Sequence, residues 1–300
     1  MPEAPTNLPA RNHNFQSFRT MKIAVTGATG KLGQLVIEEL KQRVGAGNIV
    51  ALVRSPEKAA QLGVEARKFD YNQPAGLPAA LAGVDRLLLI SGSEVGKRYE
   101  QHAAVIDAAK AANVGALVYT SLLKADTSTL VLAGEHLSTE SYLKSSGLPY
   151  TILRNGWYTE NYTESLGGVL QLGTLYGSSG DGKISSAIRA DYAAAAAAVL
   201  TGDPYSNKTY ELAGDEAYTM TDYAAEISKQ SGKTIPYVNV PEAAYAQALV
   251  GAGLPEGLAQ FLAGTHTATA NGDLYFTGND LSTLIGRPTT SLSVAVAAGL

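Results

Sequence analysis

The segment Lys22 to Gly33, Lys-Ile-Ala-Val-Thr-Gly-Ala-Thr-Gly-Lys-Leu-Gly, constrains the fold more than any other stretch. A short apolar strand, Ile23 to Val25, runs directly into glycines at 27, 30 and 33, and Leu32, Leu35, Val36 and Leu40 then repeat at helical spacing. Strand, glycine turn and helix arrive in the order of a dinucleotide-binding βαβ unit. Gly27 can take a backbone shape that a side chain resists, Gly30 lets the backbone approach a pyrophosphate, and Gly33 lets helix and strand pack closely. The unpaired N–H groups at the positive end of the helix would face the diphosphate. The candidate contacts in this turn are Gly27, Thr29, Gly30, Lys31, Leu32 and Gly33. A tight turn with no ligand is the bland alternative.

The chain of 300 residues, 45% hydrophobic and 17% charged, easily supplies a buried core. Its formal net charge is -4, and no long basic run interleaves with aromatic residues, so nucleic acid is a poor partner. With no cysteine, disulfides, thiolate catalysis and cysteine-ligated metal centres are excluded, and the composition fits the cytoplasm. The four histidines, at 13, 102, 136 and 266, form no metal-ligand spacing, and no metal is expected. No stretch is long and apolar enough for a membrane span, and Ala193 to Leu200 reads as the buried face of a helix. Residues 1–20, rich in Pro, Asn and Arg and followed by a second methionine, Met21, read as a loose extension.

The expected fold class is α/β, a Rossmann-type doubly wound parallel sheet with a smaller, mostly helical C-terminal lobe. Residues 21–155 form the expected cofactor domain and 156–300 the substrate lobe, with elements returning to the main sheet. The second strand, Asn48 to Arg54, is continuously apolar until its end, where an NAD-preferring site places a carboxylate roughly 20 residues beyond the glycines. Arg54 stands there instead, followed by Ser55 and Lys58. A guanidinium can hold a 2′-phosphate, so NADPH/NADP is favoured over NAD. Strands follow at Val64 to Phe69, with Asp70 either beside the adenine or capping the next turn, and at Arg86 to Ser93. Ser91, Gly92 and Ser93 leave room there for a cofactor ribose. His102 reads as a surface or packing residue of its helix.

A fifth strand spans Ala116 to Thr120 and a sixth Leu148 to Arg154. Short strands near Leu172 to Leu175, Thr209 to Leu212 and Ile235 to Val238 mix with helical pieces around 162–170, 190–200, 220–230, 241–250 and 254–262. Either Thr219 or Thr221 could cap the helix that carries Tyr223 and Ile227.

An ordinary short-chain oxidoreductase carries a tyrosine with a lysine four residues on, to donate a proton to the product oxygen. The comparable helix here carries His136 and Glu140, and Tyr142 is followed at that spacing by Ser146. This argues against ordinary carbonyl reduction. A quinone is less demanding, because arriving charge delocalises over its ring and proximity to the reductant supplies much of the rate. Asn155, Trp157 and Tyr158 are the candidate substrate contacts, an amide beside an aromatic wall, with a packed aromatic loop as the alternative. His136 is the one group on the key helix with an ordinary pKa suited to proton transfer near neutrality, and is the candidate proton relay.

With the glycine motif, the segments Leu88 to Ser93, Tyr119 to Ser128, Arg154 to Asn161 and Tyr210 to Asp215 closely resemble the NmrA-like group of atypical short-chain dehydrogenases, and within it the quinone-reducing bacterial branch. The likeness runs from Met21 almost to the end, including Leu284 to Thr290. The glycine motif is generic, whereas Ser121-Leu122-Leu123 and Arg154-Asn155-Gly156-Trp157-Tyr158 are more specific. The resemblance implies NADPH rather than NADH, hydride transfer to a quinone without flavin, and a group in which the Tyr-Lys pair is absent as a rule. It places the family's glycines on Gly27, Gly30 and Gly33, its strand-end arginine on Arg54, and its loop after the sixth strand on Asn155 to Tyr158. Relatives that reduce triphenylmethane dyes, and others that bind a dinucleotide as redox sensors, give the second and third expected functions. Subunit number stays open, since a Rossmann surface helix can face solvent or a copy of itself in a homodimer.

Overall fold

The computed structural model describes residues 21–202 and 207–300, and the extension expected at 1–20 lies outside the described residues. The first half alternates strand and helix: β1 Ile23–Thr26, α1 Lys31–Val44, β2 Ile49–Val53, β3 Glu65–Lys68, α2 Leu77–Ala80, β4 Arg86–Leu89, α3 Arg98–Ala111, β5 Ala116–Leu122, α4 Ala133–Ser145 and β6 Tyr150–Asn155. The second half contains α5 Glu160–Thr163, α6 Leu166–Leu172, β7 Leu175–Gly177, α7 Arg189–Thr201, β8 Lys208–Leu212, α8 Met220–Ser231, β9 Tyr237–Asn239, α9 Glu242–Gly251, α10 Glu256–Ala270, α11 Asp280–Ile285 and α12 Leu292–Gly299.

Seven strands form one sheet in the order β3-β2-β1-β4-β5-β6-β8, and every pairing is parallel. Parallel strands are covered on both faces, so the alternation of side chains divides each strand between two cores. Ile23 and Val25 of β1 join Ile49, Ala51 and Val53 of β2 under α1 and α7, while Ala24, Val50 and Leu52 face the layer of α2, α3 and α4. The alanine run of α7 is buried from Ala193 to Ala197, as its composition suggested, because small side chains let it lie close between sheet and helices. The chain winds one way from β1 to β3 and the other way from β4 onward. The gap between β1 and β4 is therefore the switch point at which such sheets bind ligands.

β8 returns from the second half to pair with β6, and β7 and β9 form a separate small parallel sheet. A third core, around Leu166, Ile184, Met220, Tyr223 and Ile227, fills the lobe beyond β6. Element boundaries differ from expectation at several points. Leu172 belongs to a helix rather than a strand, because Gly173 takes φ +69° and ends α6 there. Helix α10 runs on to Ala270, and the terminal helices α11 and α12 were not read from the sequence. Thr219 is the cap of α8: its hydroxyl accepts the Asp222 N–H at 3.1 Å, while Asp222 accepts the Thr219 N–H at 2.9 Å. Among the described residues no helix is long and apolar enough to cross a membrane.

Candidate active site

A cleft of ≈ 340 Å³ opens at the carboxyl edges of β1, β2, β3 and β4. It brings together Gly27, Thr29, Gly30, Arg54, Asp70, Ser91, Gly92 and Ser93, all singled out from sequence. Gly27 takes φ +58°, which turns the chain sharply from β1 toward α1. Gly33 does not line the cleft; a Cβ there would lie 2.3 Å from the Gly27 carbonyl, so its role is close packing. Lys31 and Leu32 also point away. The Lys31 ammonium holds both Glu164 oxygens at 2.7 Å, and Leu32 is buried in the core. These positions offer backbone N–H groups only, at a helix start that has no side-chain cap.

The Arg54 guanidinium is exposed at one end of the cleft and makes no ion pair among the described residues. Asp70 lines the cleft and accepts the Asn72 N–H at 3.0 Å and the Gln73 side-chain amide at 3.1 Å, holding the turn after β3. A glycine cradle, an uncapped helix start and a free guanidinium together fit a dinucleotide carrying a 2′-phosphate.

The wall formed by the loop after β4 is pinned from below. Ile90 N–H donates to Thr26 Oγ1 and Ser91 N–H to Thr120 Oγ1, each at 2.9 Å. Gly92 is held at both ends of its backbone: its N–H donates to His102 Nε2 at 2.8 Å, and Arg98 Nε donates to its carbonyl at 2.7 Å. Because Nε2 accepts, the His102 proton sits on Nδ1 and faces Thr139 Oγ1 at 3.0 Å. Thr26 and Thr120 are not among the site residues expected from sequence, and His102, expected as a surface or packing residue of its helix, is buried and holds the cleft wall. The available signal was a polar residue closing each apolar strand.

The helix position of the missing Tyr-Lys pair is corrected in its chemistry. His136 is buried, and the Tyr119 hydroxyl lies 2.8 Å from its Nδ1. Burial, together with the charge of Arg98, pushes the His136 imidazole down to about 3, so it does not titrate near neutrality as its ordinary value suggested. Glu140 is fully buried and is clamped by Arg154, with Ser121 donating to it at 2.6 Å.

Asn155, Trp157 and Tyr158 follow the carboxyl end of β6, yet the two rings diverge, which corrects the expectation of one aromatic wall. Tyr158 packs edge-on to Tyr192 at 5.3 Å with Arg189 above its ring at 4.8 Å. Trp157 instead lines a second cavity of ≈ 230 Å³, with Tyr162, Met220, Tyr223, Tyr245 and His266. Successive residues of an extended segment face opposite ways, and here they face different cores. Asn155 is buried and leaves Oδ1 without a partner among the described residues. Tyr223 and His266 are cavity residues that the sequence reading did not select, since they come from α8 and α10, far along the chain.

Residues 27–203 match a family model described as NAD(P)H-binding. The chain is 54% identical over 277 residues to quinone oxidoreductase 2 of Escherichia coli (strain K12), covering 91% of this chain and 97% of that protein. The crystal structure of the Escherichia coli NADPH-dependent quinone oxidoreductase complexed with NADPH superposes with a TM-score of 0.90, covering 92% of this chain and 99% of that one. The triphenylmethane reductase of Citrobacter sp. complexed with NADP(H) is 40% identical with a TM-score of 0.91, over 93% of this chain and 100% of that one. The cleft and its glycine cradle thus belong to a chain that is a member of the NAD(P)H-binding family, in its NmrA-like, atypical short-chain dehydrogenase group.

Proposed function

We propose that this protein is an NADPH-dependent quinone oxidoreductase that needs no flavin and works in the cytoplasm. The observation that carries the reading is 54% identity to quinone oxidoreductase 2 across 97% of that protein's length. When bound, NADPH supplies a hydride to the acceptor ring. Gly27, Thr29, Gly30 and the backbone N–H groups at the start of α1 hold the diphosphate, and Arg54 takes the 2′-phosphate. The pinned loop Ser91 to Ser93 fixes the ribose side, so the cofactor is oriented by elements already held in place. Residues 21–155 supply these contacts, and the acceptor side is formed where they meet residues 156–300, by Asn155 at the end of β6 and Trp157 just beyond it.

His136 stays neutral in this scheme and steadies Tyr119; the reduced acceptor draws its protons from water. Reduction of another conjugated acceptor, such as a triphenylmethane dye, is the second reading, supported by the 40% identity to the Citrobacter reductase. The testing experiment compares NADPH and NADH oxidation with 1,4-benzoquinone, corrected for the uncatalysed reaction. Enzyme-dependent turnover preferring NADPH is expected. Tight NADPH binding with no turnover of quinones or dyes would replace this reading with that of a redox sensor.

A further inference from the structure

Among the groups lining the cavity behind Trp157, His266 and Tyr223 each carry a polar hydrogen for which the described residues supply no acceptor. His266, 7% exposed, accepts the Ser178 N–H on Nδ1 at 3.2 Å, which leaves the proton of the neutral ring on Nε2. Nε2 has no hydrogen-bond partner among the described residues. Burial pushes the imidazole down to about 4, so the neutral form is the one present near pH 7. The Tyr245 ring, 4.6 Å away, holds the imidazole in place. On the facing helix, Tyr223 is 1% exposed and its hydroxyl has no partner. Burial raises its phenol, so it too remains a neutral donor.

The Tyr223 hydroxyl is a buried donor without an acceptor, which is costly unless a ligand completes it, and the His266 Nε2–H is a second donor on the same cavity wall. Most of the remaining wall, with Trp157, Tyr162, Met220 and Tyr245, is aromatic or apolar; Asn161, Ser165 and Thr265 also line it, with Asn161 Oδ1 accepting from Arg189 and the two hydroxyls donating to the Tyr162 and Phe261 carbonyls. Such a cavity rewards a flat, uncharged ring that bears oxygen acceptors. Its ≈ 230 Å³ falls below the roughly 300–1,000 Å³ typical of drug-sized sites, which favours one or two fused rings. We propose that His266 and Tyr223 are specificity-determining residues that donate hydrogen bonds to the carbonyl oxygens of the acceptor, so that this cavity selects small quinones over larger cationic dyes. The proposal rests on the quinone oxidoreductase reading.

Trp157 is the only tryptophan of the chain and lines the cavity, so its fluorescence reports occupancy directly. The full chain, loaded with NADP, is titrated with 1,4-naphthoquinone and, separately, with naphthalene, which has the ring without the oxygens. Saturable quenching by both is expected. Tyr223→Phe should raise the naphthoquinone Kd about tenfold, the worth of one hydrogen bond, and leave the naphthalene and NADPH Kd values unchanged. Tyr223→Phe combined with His266→Leu should raise it about a hundredfold, and if that pair fails to fold, Tyr223→Phe alone decides. An unaltered naphthoquinone Kd in Tyr223→Phe, or quenching that never saturates in the parent protein, overturns the proposal. NADPH-dependent turnover with an unaltered Kd in Tyr223→Phe removes these donors and keeps the enzyme. A tenfold loss of binding in a protein that turns over no quinone keeps the ring site and removes the catalytic reading.

Discussion

Arg154 grips the carboxylate of Glu140 through two parallel hydrogen bonds, Nε to Oε1 and Nη2 to Oε2, each 2.8 Å long. The pair stands where an ordinary short-chain dehydrogenase would keep its lysine, and it converts that position from chemistry to architecture. The third Arg154 nitrogen, Nη1, reaches Glu211 at 2.7 Å, tying α4, β6 and β8 together. Burial raises the Glu140 carboxyl, but hydrogen bonds from Arg154 and Ser121 outweigh it and hold the group below its ordinary value. Glu140→Gln should cost about 3 kcal/mol, read as a lower urea midpoint, because it leaves a buried guanidinium partly unpaired. Since the folded carboxyl is depressed, this stabilisation is present at neutral pH. It should fade as pH falls below the ordinary carboxylate value of about 4.3.

Arg54 stands exposed in the cleft with no ion pair among the described residues, so its removal should cost binding and little stability. Arg54→Ala is expected to weaken NADPH roughly ten- to a hundredfold, the equivalent of about 1.5–3 kcal/mol for hydrogen bonds to a charged group. NADH affinity should change little. Arg54→Asp should be worse for NADPH because it adds repulsion, and calorimetric titration of both cofactors checks the contrast.

His102 and His136 are held neutral by burial, each pushed down to about 3, with nearby charge as a further cause. The unfolded chain takes up these protons near pH 6.5, whereas the folded chain resists, so stability is complete above that pH and falls below it. Each histidine should remove roughly 1.4 kcal/mol per pH unit between about pH 6.5 and its folded value. Denaturant midpoints measured from pH 7 to pH 4 should fall steeply, and His136→Gln should flatten the slope by one proton.

His102→Phe tests the pinning of the cleft wall. It leaves the partly buried Gly92 N–H without its acceptor, which costs about 1 kcal/mol. NADPH should bind more weakly in this variant even though His102 does not line the cleft, as calorimetry of the folded protein would register.

Gly33→Ala places a Cβ 2.3 Å from the Gly27 carbonyl, closer than any real contact, so the turn or the start of α1 must move. The expected result is weak or absent NADPH binding in a protein whose circular dichroism retains the α/β signature. Gly47→Ala, which meets nothing within 4 Å, is the neutral control.

The glycine turn, the apolar strands and the arginine closing β2 are local features, and the sequence alone determined them. A turn that needs φ > 0 can be read from a glycine, and a strand buried on both faces from an unbroken apolar run. The order of seven strands and the cleft at the switch between β1 and β4 follow from that pattern, because parallel crossovers leave few alternatives. Only tertiary structure decided which side chains meet. Gly92 and His102 lie close in sequence, yet their contact depends on how α3 docks beneath the loop. Trp157 and Tyr158 are adjacent in sequence and still part company, because two different cores claim them. His136 has an ordinary imidazole pKa in sequence and a strongly depressed one in the fold, where burial beside Arg98 excludes the charged form. Tyr223 and His266 reach one cavity from helices far apart in the chain, and no local spacing encodes that convergence.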